Sequence, residues 1–343
     1  MCSNKTTQMK KNLLLFITIL LKINAFAQDI VFSQMQPNPA LLNPAWQANR
    51  SRVYPYQVSA QYRNQWSPIL GAAAYRSFAA TVDANWKHKS YNYWGGGIQF
   101  CQDQAGKTDF TQTQTTISGL YSKFMTTSFG GKSLLHHYLT WGAAVGFRQY
   151  RVDESQLKWV EQFEQNGVFN GNLPAPVFLE NNGKKVEEVN VGLLWHANNA
   201  EKEGFDCGFS LFHLTKPNLS LIKDGNMPLN RRIAIHGSAY HDIQAYSLRL
   251  KYYVAWLKQG AAQQTLIGMQ VGIPLKKQLE QLSGGLAFRK SQGVFGDAVI
   301  TSLNLDFQDY TLVMNYDWNI SSLNQANRFN HAIEFAFVYK IKN

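Results

Sequence analysis

The stretch YSLRLKYYVAW, Tyr246 to Trp256, alternates apolar and polar positions almost without a break. Tyr246, Leu248, Leu250, Tyr252, Val254 and Trp256 fall on one side; Ser247, Arg249, Lys251, Tyr253 and Ala255 fall on the other. Side chains alternate across a strand, so this period predicts a strand whose two faces meet different surroundings. Its length matches the ~9–11 residues that a tilted strand needs to cross a bilayer. Its aromatic residues lie at both ends of the apolar face, where an interfacial belt would hold them.

Similar segments recur at 56–63, 77–85, 93–102, 113–124, 138–149, 187–196, 205–214, 231–240, 264–273, 282–289, 297–307, 310–318 and 331–341. With the first stretch they make fourteen, and none of them has a helical period. An even number of antiparallel strands can close on itself and leave no backbone edge unpaired in lipid. The polar faces carry Gln, Ser, Thr, Asn, Arg and Gly, which suit a polar lumen; the dry core of a soluble sandwich would leave them unpartnered. The expected fold is therefore all-β, a transmembrane antiparallel barrel of about 14 strands over 56–343.

The connections sort by length. With both barrel ends in the periplasm, 64–76, 103–112, 150–186, 215–230 and 319–330 face outward and are long, whereas 241–245 and 308–309 face inward and are short. The stretch 125–137 breaks that rule as a long inward turn.

Ahead of the barrel, Lys10 and Lys11 precede an apolar run that ends in Ala25-Phe26-Ala27, the pattern of a secretory leader over 1–27 with cleavage after Ala27. Met9 is an alternative start. Residues 28–55 form a lead segment. Its prolines, Pro37, Pro39, Pro44 and Pro55, remove ladder donors and predict an extended or turn-rich course, either plugging the barrel or lying along its periplasmic mouth.

Composition changes the picture little. The formal charge is +11, with Lys5, Lys10, Lys11 and Lys22 in the leader and the rest of the excess dispersed, which speaks against nucleic acid as a partner. A mean hydropathy of −0.28 looks soluble, but a barrel shows lipid only every second residue and scores alike. Cys101 and Cys207 fall on opposite faces of their strands, so no disulfide is expected between them. No nucleophile, phosphate-loop or dinucleotide motif appears, and the adjacent His136 and His137 point to opposite sides, a poor start for a metal site. No catalytic residue, cofactor or metal is expected.

The lead segment QDIVFSQMQPNPALLNPAW, 28–46, resembles the opening of the PorP/SprF family of Bacteroidetes outer-membrane proteins. YRNQW (62–66), SFAATVDAN (77–85), WGGGIQFCQDQAG (94–106), FHLTKPN (212–218), YDWNISSL (316–323) and HAIEFAF (331–337) resemble that family's blocks in the same order. Where the family pattern carries a glycine after NPA, this chain has Trp46-Gln47-Ala48. The resemblance implies a non-enzymatic outer-membrane component or accessory of the type IX secretion system, with secreted cargo, other secretion subunits and outer-membrane lipid as partners and gliding as one context. The barrel pattern alone equally fits a porin or a transporter of hydrophobic solutes with a plugged lumen.

Six residues stand out as contacts of a partner or of the lumen. Arg63 and Trp66 sit where the first strand meets its outer loop, as interface anchors or, for Trp66, as part of the belt. His213 falls on the Leu211 side, at the outer rim. Asn218 follows Pro217 in a turn and opens a glycosylation sequon. Asp317 lies on the polar face and looks toward Arg63 or Arg249, and Arg249 faces the lumen.

Overall fold

The computed structural model describes residues 29–342 except 48–53, 90, 131–132, 165, 177–178, 180–183, 200–202, 223, 276–278, 292–295 and 323–330. The leader expected at 1–27 lies outside the described residues.

Fourteen antiparallel strands close into one barrel, each paired to its neighbours in sequence and the last to the first. They are β1 (Tyr56–Gln65), β2 (Tyr75–Lys87), β3 (Tyr93–Ala105), β4 (Phe110–Gly130), β5 (Ser133–Arg151), β6 (Lys184–Asn199), β7 (Glu203–Phe212), β8 (Arg232–Ile243), β9 (Leu248–Gln259), β10 (Ala262–Pro274), β11 (Leu279–Ser291), β12 (Ala298–Phe307), β13 (Tyr310–Asn319) and β14 (Ala332–Ile341). Closure runs from Tyr56↔Ile341 to Gln65↔Ala332. Among the described residues no helix is long and apolar enough to cross a membrane.

Each period-two segment became a strand. The outward positions are an apolar band, for instance Tyr252 and Val254 in β9 and Ile267 and Met269 in β10, all about half exposed on the free barrel. Inward positions in β1 alternate with them as Gln57, Ser59, Gln61 and Arg63, all buried. Cys101 is buried and Cys207 exposed, on opposite faces of the wall.

Two differences from the sequence expectation alter the reading of the wall. Tyr246 belongs to a short 3-10 turn, Gln244–Tyr246, and β9 begins only at Leu248 because Ser247 takes a left-handed conformation (φ 51°) that breaks the strand. The stretch 125–137 is not a turn: it is the distal part of β4 and β5, paired through Gly130↔Ser133 with a bulge between Phe124 and Thr126. Thr, Ser and His there are neither apolar nor alternating, so periodicity ended those strands too early. β3 pairs with β4 only as far as Tyr93↔Ser122, and β6 with β5 only as far as His136↔Asn198. Beyond those points the two strands form a ribbon that overhangs the barrel.

The two ends of the barrel are unlike. One carries the start of β1, the end of β14 and short links such as 88–92, 244–247 and 308–309; the other carries the long connections 152–183, 213–231 and 320–331.

Candidate functional site: a ligated plug and the mouth above it

Residues 29–47 run inside the barrel, and two ionic clusters and two asparagines hold them there. Asp29 is at the loop end of the lumen. Its carboxylate accepts from Arg148 Nη1 (2.8 Å) and lies 2.6 Å from His213 Nε2 and 3.1 Å from Arg232 Nη1, while its backbone N–H donates to Gln259 (3.0 Å). Arg148 also donates through Nε to Glu188 (2.8 Å), which stands 3.3 Å from His213 Nδ1. Every charge in this cluster is buried, and buried charges persist only when paired and hydrogen-bonded. Burial by itself would raise the Asp29 carboxyl, but Arg148, His213 and Arg232 hold it well below the usual range. Burial would lower His213; the Asp29 charge, the bond to Asp29 and the nearby Glu188 carboxylate instead raise it.

The second cluster grips Ser33 and Gln34. The Glu334 carboxylate accepts both backbone N–H groups, from Ser33 at 2.7 Å and Gln34 at 3.3 Å, together with Gln61 and Asn315 side chains at 2.8 Å each. Asp317 accepts from Ser33 Oγ (2.6 Å), Arg63 (2.7 Å) and Arg289 (2.7 Å). Arg63 also donates to Ser33 Oγ and stands 3.4 Å from Glu334.

The two NP elements supply the rest. Asn38 donates to Gln61 (2.9 Å) and accepts from Ser59 (3.0 Å) and Thr81 (2.8 Å). Asn43 caps its own turn by accepting from Ala45 N–H (2.9 Å), and donates to the Leu193 carbonyl (2.9 Å). The wall opposite is glycine: a Cβ on Gly142 would strike the Ala45 backbone, and one on Gly192 the Asn43 side chain. Close backbone approach is what glycine in a strand permits. Trp46 stacks on His236 at 4.7 Å and Gln47 accepts from Ser118, so two of the residues that depart from the family pattern are also seated. Apolar contacts complete the fit: Ile30 and Phe32 cover Ala79 and Cys101, and Met35 and Leu42 join Ala234, Leu257, Leu266 and Ile300 on the far wall.

Above the plug a cavity of about 720 Å³ opens toward the loop end, with Asp29 and Val31 at its floor and Arg63, Trp66, Tyr75 and Arg289 among its walls. Beside it the long loops are folded. Leu179 bridges to Ile222, joining the β5–β6 and β7–β8 connections, and Phe163 packs edge-on to Phe169 at 5.5 Å.

The six singled-out residues therefore separate. Arg63, Asp317 and His213 meet plug residues. His213 stands at the loop end but not on the Leu211 side: β7 ends at Phe212, and a left-handed backbone at His213 (φ 58°) turns the imidazole inward, where it is fully buried. Arg249 pairs with Asp242 (2.6 Å) at the opposite end, so only Arg63 of its two expected partners reaches Asp317. Asn218 fixes its loop, donating to the Gly225 carbonyl (2.8 Å) and accepting from Met227 N–H (2.8 Å). Trp66, at φ 64°, packs edge-on to Tyr75 at 5.4 Å on the cavity wall. Sequence reading did not single out Asp29, Arg148, Glu188, Arg232, Arg289 or Glu334. All but Asp29 are charges on inward positions of apolar strands, and that placement was the available signal.

A closed fourteen-stranded barrel with an apolar outer band, filled by its own amino-terminal segment, is an outer-membrane β-barrel of the plugged kind. The chain belongs to the type IX secretion system membrane protein PorP/SprF family, whose model matches residues 24–337. No curated protein matches the chain. Solved structures similar to it include the monoaromatic hydrocarbon channel TodX in a deltaS2S3 mutant (9% identity, 88% of this chain and 93% of that one, TM-score 0.46). The Ralstonia pickettii toluene transporter TbuX (8%, 89% and 94%, 0.46) and a Pseudomonas aeruginosa FadL homologue (13%, 89% and 94%, 0.45) are similar to the same degree. At these values the likenesses carry no argument about function.

Proposed function

We propose that the protein is a non-enzymatic outer-membrane part of the type IX secretion system that binds a secreted cargo protein, or a neighbouring secretion subunit, and helps export it or hold it at the surface. In this reading the terminus-bearing end is periplasmic and the loop end faces outward. The observation that carries it is the exposed apolar surface on the long loops: Val160 is 84% exposed, Val168 58%, Ile222 49% and Met227 45%. Apolar side chains grouped on folded loops mark a protein contact. The 152–183 and 213–231 connections are linked through Leu179 and Ile222 and carry these side chains.

A solute pathway has less support, because residues 29–47 occupy the lumen and buried ion pairs hold them.

Tagged protein recovered from gently solubilised outer membranes tests the proposal. The expected result is co-purification of one large secreted protein or of secretion subunits, abolished by deleting 155–180 and retained with Val160→Ala alone. Recovery of the barrel alone, under conditions that keep other outer-membrane complexes intact, would overturn it.

A further inference from the structure

We infer that the arc of the terminus-bearing rim formed by β2 to β5 is a binding site for an anionic phospholipid. The lipid-facing wall there carries an aromatic row across four strands, Trp86↔Trp94↔Tyr121↔Trp141, in direct register. Trp94 and Tyr121 have ring centroids 4.6 Å apart, and Tyr121 stacks on Trp141 at 6.3 Å. Such rows settle at the level of the membrane interface. Two rungs into the wall stands a branched aliphatic row, Val82↔Ile98↔Ile117↔Val145, each more than half exposed on the free barrel. Between the two rows the wall steps inward at Ala84, Gly96, Gly119 and Ala143, which leaves room for the glycerol end of a lipid beneath the aromatic rings.

On the other side of the aromatic row are cations. Lys123 follows Tyr121 on the same face, Lys87 ends β2 beside Trp86 on the opposite face of the strand, Lys89 lies in the adjoining turn, and all three are exposed. His88 stands edge-on to Trp94 and Tyr121, at 6.1 and 6.3 Å. None of the three lysines has an ion pair among the described residues, and the sequence holds no Asp or Glu from 84 to 102 or from 110 to 152. Three other cations of this rim have acidic partners: Arg249 has Asp242, Lys342 has Asp309 at 3.8 Å and His241 has Glu203 at 3.8 Å. The overhanging ribbon of β4 and β5 continues past the row, so Lys123 stands at headgroup depth. Unmatched lysines there, next to interfacial rings and a lipid-facing recess, fit a phosphate-bearing headgroup with net negative charge and acyl chains along the wall.

The assignment to the inner leaflet rests on the orientation proposed above, and labelling a Lys123→Cys variant with a membrane-impermeant maleimide on intact cells tests that orientation separately. No label is expected on intact cells, and full label after the outer membrane is opened. Label on intact cells would overturn the assignment to the inner-leaflet phospholipid.

The site itself is tested in nanodiscs of mixed phosphatidylethanolamine, phosphatidylglycerol and cardiolipin, by native mass spectrometry of the lipids that stay bound. Wild-type protein should retain the two anionic lipids in excess. Lys87→Gln, Lys89→Gln and Lys123→Gln together should remove the excess, by roughly five-fold for each lysine, while Lys340→Gln with Lys342→Gln keeps it. Heat-modifiable migration in gels reports that each variant is folded. Equal retention of anionic and zwitterionic lipid by the wild type would overturn the inference, and so would an undiminished excess in the folded triple variant. Capture of an acidic protein in place of lipid, by a photo-crosslinker at position 123 in whole membranes, would also overturn it.

Discussion

Asp29 and Arg148 are 119 positions apart in the chain and meet at 2.8 Å inside the barrel, both buried. The pair fastens the first described residue of the lead segment to the wall of β5. Removing one partner leaves an uncompensated buried charge, which costs about 3–5 kcal/mol. Arg148→Ala is therefore expected to free the segment without opening the strand ladder. A cysteine placed at Ile30 in a Cys101→Ser, Cys207→Ser background should then react quickly with maleimide, where the same cysteine beside an intact Arg148 reacts slowly. Equal rates would show that the pair does not hold the plug.

Glu334 accepts five hydrogen bonds, two of them from the plug backbone. Glu334→Gln keeps the shape but turns an NH₂ group toward donors. A buried donor left without an acceptor costs about 1–3 kcal/mol, so the variant should show a lower thermal midpoint with the barrel still folded. Glu334→Asp, which keeps the charge, should lose less.

The contact of Asn43-Pro44-Ala45 with Gly142 and Gly192 is tested by adding side chains. Gly142→Val places branched carbons where the Ala45 backbone passes. Release of the 43–47 turn is expected, seen as faster maleimide labelling of a cysteine placed at Trp46 in a Cys101→Ser, Cys207→Ser background. Gly119→Val, at a glycine with open space beside it, should leave the signal unchanged.

The Asp29–His213 contact gives the plug a pH window. His213 has a raised folded value, so its contribution is complete below the unfolded value of about 6.5 and is lost as pH rises through the folded one. Asp29 has a lowered folded value, so its contribution holds above the unfolded value of about 3.9 and fades as pH falls through the folded one. The maleimide rate of a cysteine at Ile30, divided by that of a free thiol at the same pH, should therefore be least in between and rise toward both extremes. His213→Gln should remove the alkaline rise and leave the acid one.

Much of the fold was legible because lipid imposes a period-two code that soluble packing would blur. Tyr252, Val254 and Trp256 could be assigned to the apolar face, and Arg249 and Lys251 to the other, from alternation alone. The plug was harder. Arg148 or Glu334 on an inward position signals a charge in need of a partner, but pairing across the lumen joins residues that no local pattern connects. His213 was misplaced because strand parity was carried one residue past the end of β7, and a left-handed turn reverses it. The apolar patch of Ala234, Leu257, Leu266 and Ile300 on the inner wall has the same cause: a lumen read as wet is in part a dry seat for Met35 and Leu42.

Single-channel recording in planar bilayers tests most directly whether this barrel is closed by its own amino-terminal segment. The full-length chain should be silent or carry only rare openings, and the chain lacking 29–47 should give a stable conductance. A full-length protein that conducts as well as the deletion would contradict the plug.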